Sequence, residues 1–347
     1  MNQPVKHQPT ASGGDALIRA VQNTFVSYAI DRMHDHRTDE QWLSQRLQDP
    51  KTRFIMLRQG QVLAEATEPG TLRLLSTAQV QEVMGHPPTI HGTIFLGQLR
   101  GDAYFCLDVD DIPEEHVLRA LADGTEGAFV SLRTAAQWLD REQAALAVQA
   151  KALLYWHKMQ QYCSRCGSPT HRIQGGYARQ CMQASCGQLY FPRVDPAIIV
   201  LVTSGERCLL GRQARWPASR YSNVAGFVEP GESLESAVRR EVYEETGIEV
   251  ASLAYHSSQP WPFPQSLMVG FMATASTAEI HLQDGELEDA RWFTREAIAR
   301  GLRDRTLSLP PPYSISFHLI EDWFNMGTGP HLRTLMDMVV SVTPSNL

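Results

Sequence analysis

The sequence predicts an α+β protein built from packed layers, with more than one domain. Three observations carry that expectation. The chain has 347 residues, long for a single hydrophobic core. Short apolar runs of strand character, "AIIVLV" (197–202), "CLLGRQ" (208–213), "SLMVGFMATA" (266–275) and "ARWF" (290–293), are interleaved with stretches of helical period. Elements mixed in this way bury their apolar faces against one another as layers. Hydrophobic residues make up 43% and charged residues 20%, the balance of an ordinary globular protein.

From the N-terminus, residues 1–15 are polar and read as a disordered tail without a secretory signal. Residues 16–160 form an expected α/β domain. It holds two hairpin patterns, "RFIMLRQGQVLAEA" (53–66) and "TIFLGQLRGDAYFCLDV" (93–109), each turning at a glycine, and closes on a helical stretch from Glu142 to Tyr162. Nothing in it gathers catalytic residue types, so it reads as a scaffold or dimerisation domain. A cysteine-rich module follows at 161–191. A third domain spans 192–325, with helices around Glu241 and from Ser314 to Phe324, and 326–347 reads as a C-terminal tail. The longest apolar run, Ala197–Val202, is too short to cross a bilayer, so no membrane role is expected. The formal net charge of −7 argues against a protein that coats nucleic acid, while a small anion held through a metal stays compatible.

The module "CSRCGSPTHRIQGGYARQCMQASC" pairs Cys163 with Cys166 and Cys181 with Cys186, fourteen residues apart. Each pair can present two thiolates, and four thiolates complete a tetrahedral zinc site with no open position, hence one structural Zn²⁺. Two disulfides are the rival, disfavoured in the reducing cytosol that the cysteine usage suggests. Cys106 and Cys208 stand alone and read as buried apolar residues, and His171 as a surface residue. Arg165, Arg172, Arg179 and Arg193 lend the module a modest basic bias toward RNA.

In "GFVEPGESLESAVRREVYEETGI" (226–248), Ser233 is the expected N-cap, Glu235 lies in the first turn and Gly247 is the stop. At 100° per residue Leu234, Ala237, Val238 and Val242 share one face, and Glu241 and Glu245 fall within about 20° of Leu234. Burying carboxylates in an apolar stripe is costly unless a positive charge meets them. Four residues apart, Glu241 and Glu245 sit on adjacent turns and can grip one hard divalent cation such as Mg²⁺ or Mn²⁺.

This stretch resembles the signature of the Nudix hydrolases, G-x5-E-x7-R-E-U-x-E-E-x-G-U with U apolar. Gly226, Glu232, Arg240, Glu241, Val242, Glu244, Glu245, Gly247 and Ile248 fill its fixed positions. The resemblance implies a Nudix α/β/α sandwich behind the zinc ribbon, holding two to three Mg²⁺ or Mn²⁺ ions. It implies Glu241 and Glu245 as principal ligands, Glu244 as a further one, and the Ala225 carbonyl as another. Glu245 or Glu244 is the candidate to take a proton from the attacking water. Gly226, Glu232, Arg240 and Gly247 are implied as structural parts of the box.

Ten residues past the box stands "SQPWPFPQS" (258–266), whose prolines forbid helix and inner strand. A stiff loop carrying Trp261 and Phe263 suits a flat ring such as nicotinamide or adenine. The string resembles the marker of the Nudix branch of NADH pyrophosphatases and NAD-cap RNA hydrolases, as do "YFPRVDPAIIVLV" (190–202) and "LPPPYSISFHLIEDW" (309–323). That resemblance implies a pocket lined by Gln259, Pro260, Trp261, Pro262, Phe263, Pro264, Gln265 and Ser266. It adds Phe191 and Ser316 as substrate contacts and Glu286 as a metal ligand from outside the box. It also implies a homodimer. The function expected is metal-dependent hydrolysis of NAD(H) to NMN(H) and AMP, extending to NAD-capped RNA, in the cytoplasm. The alternatives are a broader ADP-ribose or nucleotide-sugar pyrophosphatase, and an RNA-binding zinc-ribbon protein with an inert Nudix domain. The terminal "SNL" (345–347) is only faintly like a peroxisomal address.

Overall fold

The structure is a computed structural model that describes residues 19–20, 22–65, 70–121, 127–283 and 285–341. The expected tail 1–15 and the terminal "SNL" lie outside the described residues. The chain divides into two compact units: Thr24–Val194 with Pro260–Gln265, and Asp195–Gln259 and Ser266–Leu347 with the first 23 residues.

The first unit holds strands β1 (Ile30–Asp31), β2 (Arg53–Arg58), β3 (Gln61–Glu65), β4 (Thr71–Leu72), β5 (Ile94–Leu99), β6 (Asp102–Asp108) and β7 (Gly127–Val130). They form one sheet ordered β1-β5-β6-β2-β3-β4, with β7 on β3. Both expected hairpins are present, as β2–β3 and β5–β6. The first turns at Gln59 and Gly60 and the second at Arg100 and Gly101, all with positive φ, the geometry that matches strand twist. Helices α1 (Glu40–Gln48), α2 (Thr77–Met84), α3 (Glu114–Ala120), α4 (Leu132–Ala135) and α5 (Arg141–Met159) complete it. Helix α5 starts on an Asp140 cap and buries Ala144, Ala147, Ala150, Leu153 and Leu154. A three-stranded sheet of β8 (Thr170–Ile173), β9 (Ala178–Cys181) and β10 (Leu189–Tyr190) carries the cysteines.

The second unit is a six-stranded sheet between helices. Its strands are β11 (Asp195–Ser204), β12 (Arg207–Arg212), β13 (Val224–Phe227), β14 (Val250–Trp261), β15 (Ser266–Ala275) and β16 (Asp289–Thr294). The order is β14-β15-β11-β12-β16, with β13 on β11. Its helices are α6 (Leu234–Thr246), α7 (Arg295–Arg303), α8 (Ile315–Asn325) and α9 (Leu332–Ser341). Strand β11 feeds two cores by alternation. Ile198, Val200 and Val202 pack with Ala237, Val238 and Val242 of α6. Ile199 and Leu201 pack with Ile298 of α7 and Phe317 and Ile320 of α8. The result is an α/β/α sandwich.

Two expectations are corrected. The stretch 326–347 is not simply a tail, because it carries α9, whose Leu332 and Leu335 are buried in the second core. The stiff loop begins later than expected, since β14 extends through Pro260 to Trp261. Strand β14 is the sheet edge, where a proline need not cost a ladder bond.

Candidate functional site

Helix α6 forms as its sequence requires. The Ser233 hydroxyl accepts from Ser236 N at 3.1 Å, and Gly247 ends the helix at φ 69°, donating to Tyr243 O at 2.7 Å. Its buried residues are Ala237, Val238, Val242, Glu245 and Thr246. Glu245 is 3% exposed, a carboxylate inside the apolar face, while Glu244 is exposed. Glu241 is nearly covered, its side chain 12% exposed.

Strand β13 sets the other wall. Ala225 pairs with Ile199 and Gly226 with Ile198 of β11. A Cβ on Gly226 would lie 1.9 Å from Glu241 Cδ, so the carboxylate occupies the space a side chain would take. Arg240 joins loop to helix: Nε and Nη2 donate to Glu232 at 2.9 and 2.8 Å, and Nη2 to Phe227 O at 2.9 Å. Its Nη1 donates to Glu241 Oε1 at 2.8 Å and Glu244 Oε2 at 3.0 Å. Arg240 holds Glu232 below the usual carboxylate range. Burial raises the proton affinity of Glu241; Arg240 opposes this, and Glu244 and Glu286 add to it. Glu286, exposed before β16, is therefore within electrostatic range of Glu241.

One arginine thus faces carboxylates from Glu232, Glu241 and Glu244, with Glu245 and Glu286 on the same unit. An oxygen-only donor set with surplus negative charge fits a hard divalent cation such as Mg²⁺ or Mn²⁺. The Gly226 cradle fits it too, because it leaves the Glu241 carboxylate room beside the Ala225–Gly226 backbone.

The residues expected to touch substrate are distributed as follows. Gln259 is fully buried, and its amide spans two backbone groups, donating to Tyr313 O at 2.8 Å and accepting from Ile315 N at 2.7 Å. Ser316 is buried, with its hydroxyl 2.9 Å from Ser222 Oγ and 2.6 Å from Asn223 Oδ1. Ser266 opens β15 opposite Asp195. Pro260, Trp261, Pro262, Phe263, Pro264 and Gln265 belong to the first unit, as does Phe191, which is 62% exposed. Asn223 was not singled out by the sequence; it is buried two residues before Ala225, and its Nδ2 has no hydrogen-bond partner. An Asn in a strand approach carries no motif, so the fold alone reveals it.

In the ribbon, the four cysteine sulfurs lie within 4.8 Å of one another, the one such metal-ligating group among the described residues. Gly167 and Gly187 follow the two pairs with φ of 75° and 57°, letting each knuckle fold back. Gly167 N donates to Cys163 O and Cys186 N to Gln183 O. Converging thiolates with no further ligand suit a structural Zn²⁺. The Tyr190 hydroxyl, 3.1 Å from Cys163 Sγ, lowers that thiol to about 6. Sequence reasoning missed this tyrosine, although it stands in the quoted "YFPR" string. Of the four arginines noted for RNA, Arg179 is spent internally: it is buried, bonded to Thr170 Oγ1 at 2.7 Å, Thr170 O at 2.8 Å and His157 Nδ1 at 3.0 Å.

Comparison with known proteins agrees with this geometry. A NUDIX domain model matches residues 193–310, an NADH pyrophosphatase-like rudimentary NUDIX domain matches 51–156, and an NADH pyrophosphatase zinc ribbon domain matches 159–191. The NAD-capped RNA hydrolase NUDT12 of Macaca fascicularis is 33% identical over 348 residues, covering 89% of this chain and 75% of its own. The NAD-capped RNA hydrolase NudC of Chromobacterium violaceum is 37% identical, covering 70% of this chain and 85% of its own. The mitochondrial NAD(P)H pyrophosphatase NUDT13 of Homo sapiens is 41% identical, covering 58% and 61%. The chain belongs to the Nudix family. Within it, the chain belongs to the branch that joins the NADH pyrophosphatase-like domain and zinc ribbon to the Nudix domain. Among the described residues, no helix is long and apolar enough to cross a membrane.

Proposed function

We propose that this chain hydrolyses the pyrophosphate bond of NAD(H), releasing NMN(H) and AMP, and removes NAD caps from RNA 5′ ends by the same cleavage. The observation that carries the reading is Glu241, seated in the space Gly226 leaves and tied through Arg240 to Glu232. Glu241, Glu244, Glu245, Glu286 and the Ala225 carbonyl would hold two to three Mg²⁺ or Mn²⁺ ions, which when bound neutralise the charge of the diphosphate. Glu245 or Glu244 takes the proton of the attacking water.

In this reading the division of labour follows the chain. Residues 16–160 are scaffold, 161–191 hold one structural Zn²⁺ on Cys163, Cys166, Cys181 and Cys186, and 192–325 carry the chemistry. Phe191, Ser316 and the segment from Gln259 to Ser266 line the nucleotide pocket. Gln259 and Ser316 do so by fixing the start of α8, as their buried bonds to Ile315 and Asn223 support. The working form is a cytoplasmic homodimer. A substrate panel tests the reading: kcat/KM for NADH, NAD⁺, ADP-ribose and an NAD-capped RNA with Mg²⁺ or Mn²⁺. NADH or the capped RNA should lead. Equal or better turnover of ADP-ribose would move the chain to the broader pyrophosphatases, and no turnover of any would mark the box as inert.

A further inference from the structure

The segment expected to line the pocket is gripped by residues outside the Nudix domain. The Arg133 guanidinium, on α4, lies 4.0 Å from the Phe263 ring centroid and 5.5 Å from that of Trp261. The Lys151 ammonium, on α5, lies 5.3 Å from the Phe263 centroid and donates to Gly60 O at 2.9 Å. Trp261 and Phe263 meet edge to face, with centroids 5.1 Å apart, and Phe25 stands 6.3 Å from Trp261. A cavity of about 380 Å³ has Lys151, Leu154, Tyr155, Pro262, Phe263 and Pro264 in its lining. Arg133 and Lys151 have no carboxylate partner among the described residues. Two cations placed over one ring without counter-charge spend their attraction on its π face. Burial, with Arg133 nearby, lowers the proton affinity of Lys151, as expected for an ammonium held there without a carboxylate.

We infer that Arg133 and Lys151 are positioning residues: they fix the Trp261–Phe263 pair, the aromatic wall proposed to receive the nicotinamide nucleotide. The inference gives the first unit a task beyond that of scaffold. It rests on the proposed NAD(H) hydrolysis for its kinetic consequence, but not for its geometry. Neither residue touches the carboxylates of α6, so the chemical step is untouched when the clamp is loosened.

The test uses the full chain with Arg133→Leu, Lys151→Met, the double variant, and Arg133→Lys as the charge-keeping control. Hydrogen exchange of the peptide spanning 255–267 is measured beside KM and kcat for NADH and for ADP-ribose, which lacks the nicotinamide. The double variant is expected to speed exchange of that peptide and raise KM for NADH by about tenfold. Its kcat should stay within about twofold, the ADP-ribose KM should barely move, and Arg133→Lys should keep most of the wild-type KM. Wild-type exchange and KM in the folded double variant would overturn the inference. So would equal losses for both substrates, or a fall in kcat. Should the wild-type protein leave NADH intact, the functional reading fails and the exchange measurement alone decides whether the two cations fix the segment.

Discussion

The four-cysteine ribbon and the glutamate helix both gather acidic side chains, but the ribbon draws its sulfurs within 4.8 Å of one another while an arginine ties down the glutamates. The ribbon is closed: four thiolates, two knuckles and a tyrosine hydroxyl leave no position for a reactant. On the helix, Glu241 and Glu244 are bonded to Arg240, Glu245 is buried on the apolar face and Glu286 stands exposed. A set that satisfies itself stabilises a fold; a carboxylate-rich set short of positive charge is prepared to receive cations and a charged substrate.

The largest effect that would break this contrast belongs to Glu245. Glu245→Gln keeps shape and burial while removing the charge, and kcat for NADH should fall by about 10³-fold with the melting temperature nearly unchanged. Turnover close to wild type would remove Glu245 from the site. Gly226→Ala comes next. The new methyl meets the Glu241 carboxylate at 1.9 Å, so the carboxylate must shift and kcat should drop by about 10²-fold. Wild-type kinetics would show that Glu241 can move without cost.

The ribbon should answer in stability rather than in turnover chemistry. Replacing Cys166 by Ser, or stripping zinc with a chelator, should lower the melting temperature by roughly 10 °C, with one equivalent of zinc lost by elemental analysis. A variant that melts like the parent and keeps its zinc would contradict the four-thiolate site. The smallest effect is a pH dependence at His157, which joins α5 to the ribbon. Its Nε2 donates to Gly176 O at 2.8 Å and its Nδ1 accepts from Arg179 at 3.0 Å. Burial, then Arg172, lower it from 6.5 to about 3. The unfolded chain therefore binds a proton near pH 6.5 that the folded chain refuses. Stability is full above that pH and is lost as pH falls toward about 3, by about 1.4 kcal/mol per unit. His157→Gln should flatten this slope in urea titrations at a series of pH values; an unchanged slope would assign it to other groups.

Much of this was legible because short-range chemistry governs it. Cysteine spacing defines the knuckles, and the 3.6-residue period places Glu241 and Glu245 on the apolar face, where Glu245 is indeed 3% exposed. The apolar run "AIIVLV" reads as a strand, and β11 feeds two cores. What stayed hidden depends on long-range partners. Helix α9 looks like a tail until Leu332 and Leu335 find a core that exists only after the sheet forms. Pro260 ends a strand pattern by local rules, yet an edge position tolerates it. The Ser316 bond to Asn223, the Tyr190 bond to Cys163 and the cations over Phe263 join residues from 27 to 130 positions apart, with no periodic signal to announce them.

The most direct test of the central claim is the identity of the products. Purified protein with Mg²⁺ and NADH, resolved by chromatography, should yield NMNH and AMP in equal amounts, and neither without the divalent cation. Nicotinamide with an ADP-ribose fragment would mean that the glycosidic bond is cut instead, and the carboxylate helix would not be a pyrophosphatase site.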